Sequence, residues 1–229
     1  MKAKVWDLPI RLFHVLIILL VAVQWWTGEN LDKSVVAGGL DPLDLHIWSG
    51  SSILALVLFR IIWGFAGSTT ARFSHFLKGP RAILGQLRTL LSRNPSHAPG
   101  HNALGALSVV LMLGFLLVMP LLGLFAADAD LMGAGPAGPL SDLAGEDLAD
   151  DFAHWHHDAW ELFMILFFIH IAAVLYYLIV KRQNLIGAMI TGRDNVEGAE
   201  TLRFRPLWMA LVILAVTGGA VAAVLAWLP

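Results

Sequence analysis

The sequence predicts an all-α, polytopic membrane helical bundle, and three observations carry that prediction. Of 229 residues, 58% are hydrophobic and 14% charged, with a mean hydropathy of +0.72, too apolar for a soluble domain of this length. Apolar runs long enough to cross ~30 Å of hydrocarbon recur five times, at residues 10–26, 45–66, 103–127, 152–180 and 206–228. They do not alternate and they exceed strand length, so they read as helices that satisfy their own backbone. The third observation is the placement of charge between the runs, which is strongly one-sided.

The first run follows Lys2 and Lys4 and ends in Trp25-Trp26-Thr27-Gly28, an interfacial aromatic belt. Such a start also resembles a cleaved signal peptide, but no A-x-A-like site follows and the run holds His14, so a retained span is expected. A short acidic loop leads to the second run, which opens at Leu45-His46 and closes at Trp63-Gly64-Phe65-Ala66-Gly67. Residues 68–100 place Arg81 and Arg88 among Ile83, Leu84, Leu87, Leu90 and Leu91. That pattern suits an amphipathic helix lying on an anionic leaflet, or one packed on the bundle. The third run carries no buried histidine; His101, at its mouth in Gly100-His101-Asn102, is expected to cap the helix or meet lipid headgroups. Residues 128–150, rich in Gly, Pro, Ala and Asp, are expected to form a loop, and the fourth and fifth runs complete the bundle. No internal repeat is visible.

Orientation follows from the basic residues. Lys2, Lys4 and Arg11, then Arg60, Arg72, Lys78, Arg81, Arg88 and Arg93, then Lys181, Arg182, Arg193, Arg203 and Arg205 share one side, and only Lys33 falls on the other. The positive-inside rule makes the first side cytoplasmic, with the N-terminus inside and the C-terminus in the periplasm of a bacterial inner membrane. The opposite side is acidic, with Glu29, Asp32, Asp41, Asp44, Asp128, Asp130, Asp142, Glu146, Asp147, Asp150 and Asp151.

Ionisable side chains inside a membrane are costly and mark functional sites. His156 and His170 stand fourteen residues apart in the fourth run, which puts them within about 40° on one helix face and roughly 21 Å apart along the axis. His14 lies near the cytoplasmic end of the first run and His46 opens the second from the periplasm, so depth pairs His14 with His170 and His46 with His156. Four imidazoles at two matched depths are what two bis-histidine haems need. The chain has no cysteine, which excludes covalent haem attachment, iron–sulfur ligation and thiolate zinc, so both haems would be held noncovalently as b-type haem. Among neighbours of His156, His157 is about 140° and His154 about 160° away from the face of His170; His157 is the fallback ligand. His154, His156 and His157 with Asp150 and Asp151 could instead bind zinc, and each histidine could simply hydrogen-bond another helix.

Gly50, one turn beyond His46 on its face, leaves room for a porphyrin to approach. Haem propionates seek Arg, Lys or water, and Arg11 and Arg72 suit the cytoplasmic-side haem, although the topology rule alone also accounts for them.

These residues also resemble a known family. Val5-Trp6-Asp7-Leu8-Pro9-Ile10-Arg11-Leu12-Phe13-His14 is similar to the start of bacterial cytochrome b561 and hydrogenase-type b cytochromes. So are Arg60-Ile61-Ile62-Trp63-Gly64-Phe65-Ala66-Gly67, Ala71-Arg72-Phe73, Gly100-His101-Asn102, His156-His157 through His170-Ile171-Ala172-Ala173, and Met189-Ile190-Thr191-Gly192. The likeness covers roughly residues 4–193; Val15 stands where the family usually has Trp. It implies a four-helix diheme core over residues 1–193, ligated by His14, His46, His156 and His170, with residues 194–229 forming a cytoplasmic linker and an additional fifth transmembrane helix.

Bis-histidine ligation fills both axial positions and suits electron transfer. The resemblance implies a relay between a membrane quinone, ubiquinone or menaquinone, and a redox partner. The acidic periplasmic face points to a basic partner such as a c-type cytochrome; nucleic acid is not an expected partner. Some family members resemble superoxide oxidases, which pass electrons from superoxide to quinone, and an acidic entrance would repel that anion. A non-redox membrane module, with histidines that only pack or bind zinc, is the alternative from another class.

Overall fold

The computed structural model describes residues 2–31, 39, 41–89, 100–127, 135–196 and 198–226. Asp32, Lys33, Leu90, Leu91, Arg93, Asp128 and Asp130 lie outside the described residues. Among the described residues, five helices are long and apolar enough to cross a membrane: α1 (Leu8–Gly28), α2 (Pro42–Ala66), α5 (Ala103–Phe125), α7 (Glu146–Ile179) and α9 (Leu207–Ala226). Between them lie the short helices α3 (Phe73–Phe76), α4 (Pro80–Thr89), α6 (Ser141–Ala144) and α8 (Leu185–Thr191). The only paired strands among the described residues are β1 (Ala3–Lys4) and β2 (Arg193–Asp194), antiparallel with Ala3 opposite Asp194. This is an all-α polytopic membrane bundle.

The helix starts follow local chemistry. Asp41 Oδ1 accepts from the Leu43 amide at 2.8 Å, capping α2 just before Pro42, which has no N–H to leave unpaired. Asn102 Oδ1 accepts from the Gly105 amide at 2.8 Å and caps α5. The cap is therefore Asn102, and the expectation that His101 caps this helix is corrected. A second correction concerns α7, which begins at Glu146, so the acidic run Glu146 to Asp151 is helical rather than loop. Gly145, at φ +78°, turns the chain, and Glu146 and Asp147 then sit in the first turn, where the helix dipole favours carboxylates. The segment before α6 is not free loop either: the Gly138 amide donates to the Ala126 carbonyl at 2.7 Å and the Leu140 amide to the Leu124 carbonyl at 2.8 Å. A side chain at Gly138 would overlap the Gly123 carbonyl, so only glycine permits this approach.

The chain divides into two compact units. Unit 1 comprises Met1–His14, Phe59–Leu113 and Met164–Ile213; unit 2 comprises Val15–Leu58, Gly114–Phe163 and Leu214–Pro229. In unit 1, Val5, Trp6, Ile10, Phe59, Trp63, Ala71, Ala188 and Ala210 form a buried apolar cluster. Several polar groups tie it together. The amides of Val5 and Trp6 donate to the Gly192 carbonyl at 2.8 and 3.2 Å, and Thr70 Oγ1 donates to the Val5 carbonyl at 2.7 Å. Asp7 Oδ1 accepts from the Ile10 amide and Oδ2 from Trp63 Nε1, both at 3.0 Å, so one carboxylate caps α1 and ties it to α2. Gly64 lies against the Phe73 ring, which any side chain there would overlap. Helix α4 is tied to α7 through Gln86 Nε2, which donates to the Tyr177 hydroxyl at 3.3 Å, while Leu84 and Leu87 are exposed.

Unit 2 packs around Leu54, Leu124 and Leu140, with Val221 and Leu225 of α9 against them. Pro120 inside α5 cannot donate to the preceding turn.

Candidate functional site

His46, in the first turns of α2, and His156, in α7, face each other in unit 2 with ring centroids 6.1 Å apart and planes at 74°. Two imidazoles sharing one iron through metal–nitrogen bonds of about 2 Å place their centroids at about this separation. Each ring is oriented through its Nδ1. His156 Nδ1 lies 2.8 Å from the Met119 carbonyl, which can only accept, so Nδ1 carries the proton and Nε2 keeps its lone pair. His46 Nδ1 lies 2.9 Å from Thr27 Oγ1. The Thr27 hydroxyl donates its single proton to the Val23 carbonyl at 2.8 Å, leaving oxygen lone pairs for the His46 Nδ1–H. Both rings thus hold Nε2 free, the arrangement metal-ligating histidines have when a second group fixes the tautomer.

The same face of unit 2 holds a cavity of about 790 Å³ lined by His46, His156, Gln24, Gly28, Gly50 and Gly123, among others. That volume falls in the range of cofactor pockets. Gly123 is the glycine the ring needs: a Cβ there would lie 3.0 Å from His156 Cε1. Gly50 lines the cavity, but its open side faces Gln24 Nε2, 3.2 Å from where a Cβ would stand. Gln24 in turn donates to the His46 carbonyl and to Ser49 Oγ, both at 2.7 Å, and fixes the start of α2 under its histidine. His154 and His157 also border the cavity, but each side chain is 71% exposed, near Asp150 and Glu161 respectively. Among the described residues no three or more His, Asp or Glu side chains are grouped so as to hold a metal ion.

In unit 1, His14 and His170 lie within electrostatic reach of each other, and His170 Nδ1 is 3.4 Å from Ser108 Oγ. Arg11 is committed to α8: its Nε donates to the Met189 carbonyl at 3.1 Å and its Nη2 to the Ile190 carbonyl, at the negative end of that helix. Arg72 keeps a buried Nε without a partner. Two further residues belong to this neighbourhood. Arg60 is 3% exposed, and His101 packs its ring on Trp6 and Phe76 at 4.8 and 4.9 Å. Burial, followed by nearby Arg60, His14, His170 and His75, pushes the His101 imidazole down to about 3. It is therefore neutral, and the headgroup role expected for it gives way to a packed one. The signal for both is present in the motif runs around Arg60 and Gly100-His101-Asn102, but the topology rule alone already accounts for a basic residue at position 60.

A membrane bundle with facing histidines whose Nε2 atoms are free, above a glycine-edged cavity, has the donor set of a noncovalent haem protein. The prokaryotic cytochrome b561 family model matches residues 5–192, and the chain belongs to that family. It is a multi-pass membrane b-type cytochrome: it binds b-type haem and carries electrons across the bilayer. That membership sets aside the non-redox reading. Comparison with curated proteins and with solved structures gave no match.

The Thr27–His46 contact makes a prediction of its own. Thr27→Val keeps shape and removes the acceptor, so the His46 ring loses its fixed tautomer; if the His46/His156 pair holds a haem, its affinity is expected to fall ~10–100-fold. Titration of haem-depleted protein with haem, followed by the Soret band, measures it.

Proposed function

We propose that the chain binds two b haems, one between His46 and His156 and one between His14 and His170, and relays electrons between membrane quinone and a basic periplasmic redox protein such as a c-type cytochrome. The observation that carries the reading is the facing pair His46–His156, with centroids 6.1 Å apart and both Nδ1 atoms engaged. His170 stands fourteen residues along the same helix, on the same face. When bound, haem supplies reversible one-electron chemistry at iron; the chain supplies axial nitrogens, orientation and a dry surround. In this reading residues 1–193 form the diheme core, residues 194–229 add the linker and α9, and the quinone is ubiquinone or menaquinone. The N-terminus is cytoplasmic and the C-terminus periplasmic in a bacterial cytoplasmic membrane, as the one-sided basic residues support.

A reduced-minus-oxidised spectrum with haem quantified per chain tests the cofactor half: two b-type haems are expected, and one or none refutes it. The partner half rests on charge. Glu146, Asp147, Asp150 and Asp151 open α7 on the side that carries His156. A basic partner steered to them should react more slowly as salt shortens the Debye length from ~10 Å at 0.1 M. Neutralising Asp147, Asp150 and Asp151 together should slow reduction or oxidation by a basic cytochrome c while both haem spectra stay intact. Stopped-flow mixing at two ionic strengths reads this. A rate indifferent to salt, with rapid haem reduction by superoxide, would instead make the chain a superoxide:quinone oxidoreductase.

A further inference from the structure

Among the described residues, four buried side-chain polar atoms lack a hydrogen-bond partner, and the three nitrogens among them all belong to unit 1: Arg60 Nη1, Arg72 Nε and His101 Nδ1. They gather around one short helix. The Arg60 guanidinium lies over the Phe73 ring at 5.4 Å, Arg72 directly precedes Phe73, and Phe73 meets Phe76 at 5.6 Å. Phe76 meets the His101 ring at 4.9 Å.

Among the described residues no carboxylate forms a salt bridge with them, and Asp7 attracts Arg60 only from beyond that range. The ion pairs found there, His154–Asp150 and His157–Glu161, both lie in unit 2. Asp7, the acid that attracts Arg60 electrostatically, spends its oxygens on the Ile10 amide and on Trp63 Nε1. A guanidinium that is 3% exposed, with a donor facing no acceptor, is costly unless an anion meets it. Arg11 cannot share that task fully, because its Nε and Nη2 hold the carbonyls that end α8. Two guanidinium groups and an imidazole whose buried Nδ1 has no partner are a donor set for one chemistry, the planar or tetrahedral oxyanion.

We propose that Arg60, Arg72 and His101 form a buried oxyanion site, taking a carboxylate or a phosphate. Its position beside His14 and His170 names the first source: a propionate of the haem those histidines hold, a step that rests on the two-haem reading. The second source of the same chemistry is the phosphate of an anionic lipid headgroup.

The test uses the full chain, purified in detergent, as wild type, R60Q and R72Q. Each is loaded with protohaem or with its dimethyl ester, whose carboxylates are blocked, and haem release to an excess of a haem-scavenging protein is followed. The relevant phase is the one missing from His14→Ala; the other phase reports that the variant is folded. Phosphate retained per chain is measured in parallel. The expected result is that R60Q and R72Q each speed release of protohaem in that phase at least tenfold. With the ester, wild type is expected to release as fast as the variants, which then lose nothing further. Unchanged release with loss of bound phospholipid phosphate assigns the site to a lipid. If neither release nor phosphate changes in R60Q and R72Q, there is no oxyanion site. Should wild type hold fewer than two haems, the two-haem reading fails by stoichiometry, and the phosphate measurement still decides the site.

Discussion

His156→Ala is expected to leave one b-type haem per chain in place of two, with the remaining haem spectrally unchanged. In the proposed two-haem arrangement the ring it removes supplies one of two axial nitrogens, and a single histidine cannot hold a bis-histidine haem. His156 is also the only histidine of its cluster that faces His46; His154 and His157 are each 71% exposed at the side chain. His46→Ala should therefore lose the same haem. His14→Ala and His170→Ala should lose the other, because both belong to unit 1 while His46 and His156 belong to unit 2. His157→Ala should keep both. Haem content per chain, with the reduced spectrum of each variant, reads all five. Two haems in His156→Ala but one in His157→Ala would show that the chosen histidine is wrong.

The register of those histidines was legible because a helix is covalently periodic. Fourteen residues return to one face whatever the helix packs against, so His156 separates from His154 and His157 before any contact is known. The five spans were legible for a similar reason: length and hydropathy are properties of the run itself, and the helices depart from the expected runs by a few residues, save at the start of α7. There an acidic stretch with the composition of a loop continues the helix. Its carboxylates suit a helix N-terminus as well as they suit water, and composition does not separate the two.

What was not legible is what depends on a partner helix. Nothing in Gln24 or Thr27 marks them as supports of His46, and nothing in Met119 marks its carbonyl as the acceptor for His156. Gly50 was legible as a small residue one turn from a histidine, but not that Gln24 Nε2 packs 3.2 Å from where a Cβ would stand. Arg11 and Arg72 looked alike as basic residues at one membrane face; only the fold gives one of them two carbonyls and leaves the other a buried donor. Arg60 was hidden by the same rule, since topology explains any basic residue on that side, buried or not.

Gly123→Leu is expected to lose the same haem as His156→Ala without touching either histidine. A Cβ at Gly123 would stand 3.0 Å from His156 Cε1 and 3.2 Å from Nδ1, so even alanine requires the ring to shift by a few tenths of an ångström. Leucine adds three further carbons in that direction. The ring cannot retreat and keep its anchor, because the Met119 carbonyl that orients it belongs to the same helix, one turn before Gly123. Displacing the ring turns Nε2 away from His46, and the facing pair is lost. Gly114 supplies the control. It lies nine residues earlier in α5, about 180° around the helix, and a Cβ there would have nothing within 4 Å. Gly114→Leu should keep both haems, Gly123→Ala should keep both with a shifted potential for one, and Gly123→Leu should keep only the haem of His14 and His170. Potentiometric titration with haem counted per chain distinguishes the three. Two unperturbed haems in Gly123→Leu would mean that His156 is not held at α5 in its ligating position, and the tautomer assigned through Met119 would fall with it.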